Sequence, residues 1–220
     1  MKQGFFITGT DTGVGKTFMS CALLHHFTQQ GYRAVGMKPV SAGCREVDGA
    51  WLSEDVEQLQ AAGNVGAPLQ TVNPYAFEPP LAPHIAAAQV GVEIALDPIL
   101  QGFKALMQQA DIVVVEGVGG FRVPLNATQD TADLAVALGL PVILVVGMRL
   151  GCLNHALLTA EAIAARGLQL AGWIANQVDP DMLAFEENLE SLQQRLPAEC
   201  LGIHLHQAVP DWREVNLKVR

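Results

Sequence analysis

The nine residues Gly9-Thr10-Asp11-Thr12-Gly13-Val14-Gly15-Lys16-Thr17 constrain this chain more than any other feature. An apolar run of strand length, Gly4–Thr8, precedes them, and a segment of helical period runs from Lys16 to about Gln30. A glycine-rich turn between strand and helix gathers free backbone N–H groups and the positive end of the helix dipole at one point. Gly13 and Gly15 let that backbone approach phosphate oxygens, Lys16 can reach the β- and γ-phosphates, and the Thr17 hydroxyl can bind Mg²⁺. The candidate ATP-binding run here is Gly13, Val14, Gly15, Lys16, Thr17 and Phe18. One departure marks the loop as a variant: its usual first glycine would fall at Thr10, and Gly9 stands one place early.

Further strand candidates are Ala34–Val40, Asp111–Glu116, Pro141–Gly147, Leu170–Asn176 and, more weakly, Cys200–Leu205. Between them Asp97–Ala110, Asp130–Leu138, Leu153–Arg166 and Asp181–Arg195 carry apolar residues at helical spacing, with Gly31, Gly139 and Gly167 where helices should stop. Strands apolar on both faces and separated by helices imply an α/β fold. Its sheet should be mostly parallel with helices on both faces, a P-loop NTPase-like single domain over residues 1–220. The stretch from Ser41 to Pro83, rich in proline, reads as one short helix, Glu54–Ala62, plus loops that serve a site and not the sheet.

Composition removes whole classes of function. Thirteen basic against 22 acidic residues give a net charge of −9, which repels phosphate backbones and argues against nucleic acid as a partner. The apolar runs Ile112–Val115 and Val142–Val146 fall far short of the ~20 residues of a membrane span, and the first residues show no signal-peptide core. A cytoplasmic protein without membrane association is expected. Cys21, Cys44, Cys152 and Cys200 show no zinc-site spacing, and Cys21 and Cys200 read as buried thiols of a reducing compartment.

In open parallel sheets ligands collect beyond the carboxyl ends of the strands. Glu116 ends one strand and is followed by Gly117-Val118-Gly119-Gly120, so its carboxylate is placed to hold Mg²⁺ while the glycines admit a ligand to the backbone. Asp55 carries two readings, a second metal ligand or a carboxylate favourable to a helix's first turn. Lys38 likewise is either a second cation converging on the anion held by Lys16, or a solvated lysine capping a strand. Met148 to His155 follows a strand and opens a helix, which is a plain helix start or a receiver for a carboxylate. Asn176-Gln177 lies where a base could be read, and an asparagine suits adenine. His25, His26, His204 and His206 lack a ligand constellation and read as structural or surface residues.

The segments GTDTGVGKT, GMKPVSAG, SEDVEQL, VNPYAFEPPLAPH, VVVEGVGG, PVILVVGMRLGCLNHALLT and LAGWIAN, in this order from about Phe5 to Asn176, resemble the dethiobiotin synthetase family. Its Gly-x5-Gly-Lys-Thr spacing accounts for the variant loop. The resemblance implies ATP- and Mg²⁺-dependent conversion of 7,8-diaminopelargonate and CO₂ to dethiobiotin, through a carbamate and a carbamic–phosphoric anhydride. It implies Lys38 and Lys16 as catalytic lysines and Thr17, Asp55 and Glu116 as magnesium ligands. It places Thr12, Lys38, Ser41 and Ala42 in the diamine pocket, and Gly151, Cys152 and Asn154 at the helix start that takes the substrate carboxylate across a homodimer interface. Glu116, Gly117, Val118 and Gly119 would contact the nucleotide, and Asn176, Gln177, Leu205, His206 and Gln207 would surround its base. Two departures are specific to this chain. Ala42 stands where many members have a hydroxyl, so Ser41 or a backbone group takes that role, and Leu205-His206-Gln207 replaces a Pro-x-Leu adenine loop. The competing reading is a dimeric ATPase switch related to the partitioning and metallocentre-insertion ATPases. Those usually carry another lysine early in the loop, and Gly9 to Thr12 contain none.

Overall fold

The computed structural model describes residues 2–219. In chain order, β1 (Gln3–Gly9) leads through the glycine-rich loop into α1 (Lys16–Gln29) and returns to β2 (Ala34–Met37). The middle of the chain carries β3 (Val40–Ala42), β4 (Arg45–Val47), β5 (Ala50–Leu52), α2 (Glu54–Ala62), α3 (Leu69–Val72), β6 (Tyr75–Phe77) and α4 (Pro83–Gln89). Strands and helices then alternate: α5 (Leu96–Gln109), β7 (Ile112–Glu116), α6 (Thr131–Leu138), β8 (Val142–Met148), α7 (Cys152–Ala165), β9 (Leu170–Gln177), α8 (Phe185–Arg195) and β10 (Cys200–His204).

The main sheet has six strands in the order β10-β9-β8-β1-β7-β2, all parallel. Alternation along β1 shows why both faces must be covered. Phe6 packs into a core with α5 and α6, while Phe5 and Ile7 pack into a second core with α1. In β7, Val113 and Val115 face the first core, Ile112 and Val114 the second. A third cluster, built on Leu144, Val146 and Trp173, lies under α7 and α8. Burying large aliphatic side chains on both faces contributes about 1.5–3 kcal/mol for each, so the sheet is the rigid base from which site loops project. Among the described residues no helix is long and apolar enough to cross a membrane.

The structure differs from four of these expectations. Ala34–Val40 is not one strand. β2 stops at Met37, and after Lys38-Pro39 the chain pairs β3 with β6 in a separate two-stranded sheet. Pro39 has no N–H to give a ladder, so the switch of partner falls there. The segment expected to be one helix plus loops also holds β4 paired with β5, the short helix α3, and β6. The helix foreseen from Asp181 begins at Phe185, after Ala184 at φ 53°. Cys21 is buried, and burial pushes its thiol up to about 12. Cys200 is only half-buried.

Candidate active site

The carboxyl end of β1 delivers the glycine-rich loop. Gly13 and Gly15 take φ of 73° and 85°, a left-handed region that L side chains avoid at a cost of about 1–2 kcal/mol. Gly15 caps α1 with no side-chain hydrogen bond and no acidic residue in the first turn, so the helix N-terminus keeps its N–H groups for an anion. A Cβ on Gly15 would stand 2.2 Å from Asn176 Nδ2, because that amide donates to the Val14 carbonyl at 2.9 Å. Asn176 thus braces the loop from β9.

Lys16 folds over the loop, its Nζ donating to the Asp11 carbonyl at 2.9 Å. Burial, then the neighbouring Lys38, lowers its pKa to about 8. The Asp11 carboxylate accepts from Thr12 N at 2.7 Å and pairs with Arg149 at 2.7 Å, which ties the loop after β8 to the phosphate loop.

Beside this cradle sits a compact charge cluster. Lys38, at the end of β2, is 4% exposed and its Nζ lies 2.5 Å from Glu116 Oε1 and 2.8 Å from an Asp55 oxygen. Thr17 Oγ1 donates to the same Glu116 oxygen at 2.8 Å. Burial alone would lower the pKa of Lys38, but Glu116 and Asp55 together outweigh it and hold the ammonium above its ordinary value. The reverse balance holds for Asp55: burial raises it, Lys38 pulls it down further, and the carboxylate stays ionised. Glu116 Oε2 is buried with no hydrogen-bond partner among the described residues.

A cleft of about 880 Å³ opens over these groups, bordered by Thr12, Gly13, Gly15, Lys16, Thr17, Phe18, Lys38, Asp55, Glu116, Val118 and Gly119. Val14 is buried and Gly117 donates its N–H to the Ile7 carbonyl; neither borders the cleft. Ala42 borders the cleft, and so does Ser41, yet the Ser41 hydroxyl is buried and donates to Asn73 Oδ1 at 3.0 Å. Asn176 and Gln177 end β9 beside Leu205-His206-Gln207, and His206 N donates to Gln177 Oε1 at 3.2 Å. His204, read as structural, packs its ring on Phe18 at 4.7 Å between centroids. Gly151, Cys152 and Asn154 are not brought to this cleft. They start α7, whose N-terminus again has a positive-φ glycine, no side-chain cap and no acidic first turn, with Leu150 fully exposed beside it.

Reasoning from strand ends alone missed the apolar wall of Pro80, Leu81, Ala82 and Pro83, and the buried Asn73. Both lie in VNPYAFEPPLAPH, whose prolines signalled irregular backbone without showing where it folds.

Comparison with known proteins now adds the family. Residues 3–207 match a family model described as an AAA domain. The ATP-dependent dethiobiotin synthetase BioD of Aromatoleum aromaticum is 57% identical over 218 residues, 99% of this chain and 97% of that protein. The protein of that name from Xanthomonas euvesicatoria is 58% identical over 198 residues, 90% of this chain and 88% of its own. Among solved structures, the MinC:MinD cell division complex of Aquifex aeolicus aligns with a TM-score of 0.60 at 14% identity, covering 94% of this chain and 82% of that one. The signal recognition particle receptor FtsY of Elizabethkingia anophelis aligns at 0.57 and 17% identity, covering 99% and 62%. Those two likenesses show the P-loop fold alone. The near full-length identity goes further: this chain belongs to the ATP-dependent dethiobiotin synthetase family.

Proposed function

We propose that this chain converts 7,8-diaminopelargonate, CO₂ and ATP to dethiobiotin, ADP and phosphate, a step of biotin biosynthesis. Beyond the family, one observation carries the reading: the Lys38 ammonium and the Glu116 and Asp55 carboxylates meet beside the Lys16 cradle in one cleft. The switch reading explains neither that second buried lysine nor a cleft extending past the phosphate loop to an apolar wall.

The first bond forms between an uncharged amine of the substrate and CO₂, with loss of a proton, to give a carbamate. A carbamate oxygen then attacks the γ-phosphorus and ADP leaves. The second amine attacks the carbamate carbon, the C–O bond to phosphate breaks, and the five-membered urea closes. The phosphoryl step brings together two anions. Lys16 and Lys38 answer it by lowering the repulsion, in a site where charge interactions exceed those in water. The backbone N–H groups of Gly13, Val14 and Gly15 orient the triphosphate, and Thr12 and Ala42 border the diamine. Ser41 supports that strand from behind, its hydroxyl engaged with Asn73. The wall from Pro80 to Pro83 with Val118 and Val123 keeps water from an anhydride that would hydrolyse.

The residues fit a magnesium ion. Thr17, Asp55 and Glu116 offer hard oxygen donors, and the buried Glu116 Oε2 has no hydrogen-bond partner among the described residues. Among the described residues no cluster of three or more His, Cys, Asp or Glu forms, so nucleotide oxygens would complete the set. When bound, the ion supplies positive charge to the β- and γ-phosphate oxygens. Asn176 and Gln177, with Leu205 to Gln207, would receive adenine.

The chain would act as one domain and as a homodimer in the cytoplasm. The start of α7, with Gly151, Cys152 and Asn154, is built for a carboxylate yet lies away from its own cleft, which supports its service to the partner's site. Mixing Lys38→Ala with Asn154→Ala, each inactive alone, should then restore part of the activity; no recovery after subunit exchange would remove the shared site. The function itself is tested by mass analysis of the organic product. One cyclic urea per ADP is expected, whereas ATP hydrolysis indifferent to the diamine would favour a switch.

A further inference from the structure

We propose that Asn73 is a positioning residue that sets the place of Lys38. Lys38 lies in the two-residue step between β2 and β3, outside either ladder, so strand pairing does not fix its peptide groups. Residues at the end of α3 hold them instead. Lys38 N donates to the Val72 carbonyl at 2.8 Å, and Asn73 Nδ2 donates to the Lys38 carbonyl at 2.6 Å. The same amide donates to the Tyr75 carbonyl at 3.2 Å, and its Oδ1 accepts from Ser41 Oγ. Asn73 therefore spends both amide hydrogens and its oxygen on the segment that carries Lys38 and Ser41. It is 4% exposed and does not border the cleft, so it acts through the residues it holds. No other side-chain type offers two donors and an acceptor at this length: aspartate has no donor, and serine has one. Displacing a reacting group by about 1 Å costs on the order of 100-fold in rate, so the anchor has catalytic consequence without touching substrate.

The inference rests on the reading of Lys38 as the cation at the transferring phosphoryl group, and two measurements separate the two ideas. First, kcat and KM are measured for Asn73→Ser and Asn73→Ala, normalised to folded protein by circular dichroism. The expected result is a fall in kcat of about 30-fold with the KM for ATP within about threefold of wild type, because the phosphate loop is untouched. A kcat per folded molecule within twofold of wild type overturns the proposal, as does failure of both variants to fold. Second, thermal unfolding is compared for Asn73→Ser, Lys38→Met and the double variant in the absence of nucleotide. If Asn73 places the ammonium against Glu116, the two effects are non-additive; additive effects overturn the proposal, whatever reaction the enzyme catalyses. Absence of dethiobiotin from the wild-type enzyme would count against the functional reading alone, and the unfolding cycle would still decide the role of Asn73.

Discussion

Replacing Lys38 by methionine isolates the charge at the centre of the cleft, since the side chain keeps a comparable apolar body and loses only the ammonium. Glu116 is then left buried, with its side chain 0% exposed, and without a cation. Asp55 is 40% exposed and water screens it, so it adds little. Breaking a buried pair by removing one partner costs about 3–5 kcal/mol. At ~2.1 cal/mol/K per residue, a chain of 220 residues unfolds with an entropy of about 460 cal/mol/K, so Tm should fall by about 7–11 °C. Scanning calorimetry at pH 7.5 without divalent ions measures this. If Mg²⁺ binds at Glu116 as proposed, millimolar Mg²⁺ should raise the Tm of the variant more than that of wild type, because in wild type the ion would compete with the Lys38 ammonium for the same oxygens. A variant as stable as wild type in the metal-free buffer would refute the reasoning that Glu116 depends on Lys38.

Three further perturbations probe the supports of the site. Gly15→Ala must adopt φ near 85° and push Asn176 off the Val14 carbonyl, for a loss of about 2–3 kcal/mol. ATP affinity by titration calorimetry should fall at least tenfold with it, and unchanged affinity would mean the loop tolerates a Cβ. His204 has its pKa lowered, chiefly by burial and then by His206, so as pH falls through the ordinary histidine range the unfolded chain takes up its proton before the folded one does. Stability should drop as pH falls from 7.5 to 5.5, and His204→Phe, which keeps a ring on Phe18, should flatten the slope; an unaltered slope contradicts this. Asp130 caps α6 by accepting from Ala132 N and Asp133 N and pairs with Arg122 and Arg166. Asp130→Ala should cost about 1–2 kcal/mol, read as a lower urea midpoint, and a midpoint equal to wild type would show the cap to be dispensable.

The sheet was legible because its strands are apolar on both faces and alternate with helices, a pattern that a parallel sheet covered twice satisfies, and because one glycine-rich turn named the strand that starts it. Lys16, Thr17 and Glu116 were legible for the same reason, since each sits at a strand or helix end that such a sheet brings to one rim. Asp55 and Lys38 were not settled by pattern. Their meeting depends on where the irregular stretch from Ser41 to Pro83 folds, and the short strands there lack the length over which periodicity can speak. Pro39 hid the end of β2 inside an apparently continuous apolar run. Asn73 left no trace in any pattern of charge or apolarity, because its role is to satisfy backbone groups that only the folded chain brings near.

In the proposed reaction this cleft directs the γ-phosphoryl group to a carbamate and not to water. Labelling CO₂ with oxygen-18 in one turnover, in the presence of diamine and ATP, tests it most directly. If a carbamate oxygen attacks phosphorus and leaves with it on ring closure, the released phosphate carries one labelled oxygen. Phosphate free of label, alongside ADP formed at the full rate, would mean that no carbamate oxygen attacks phosphorus.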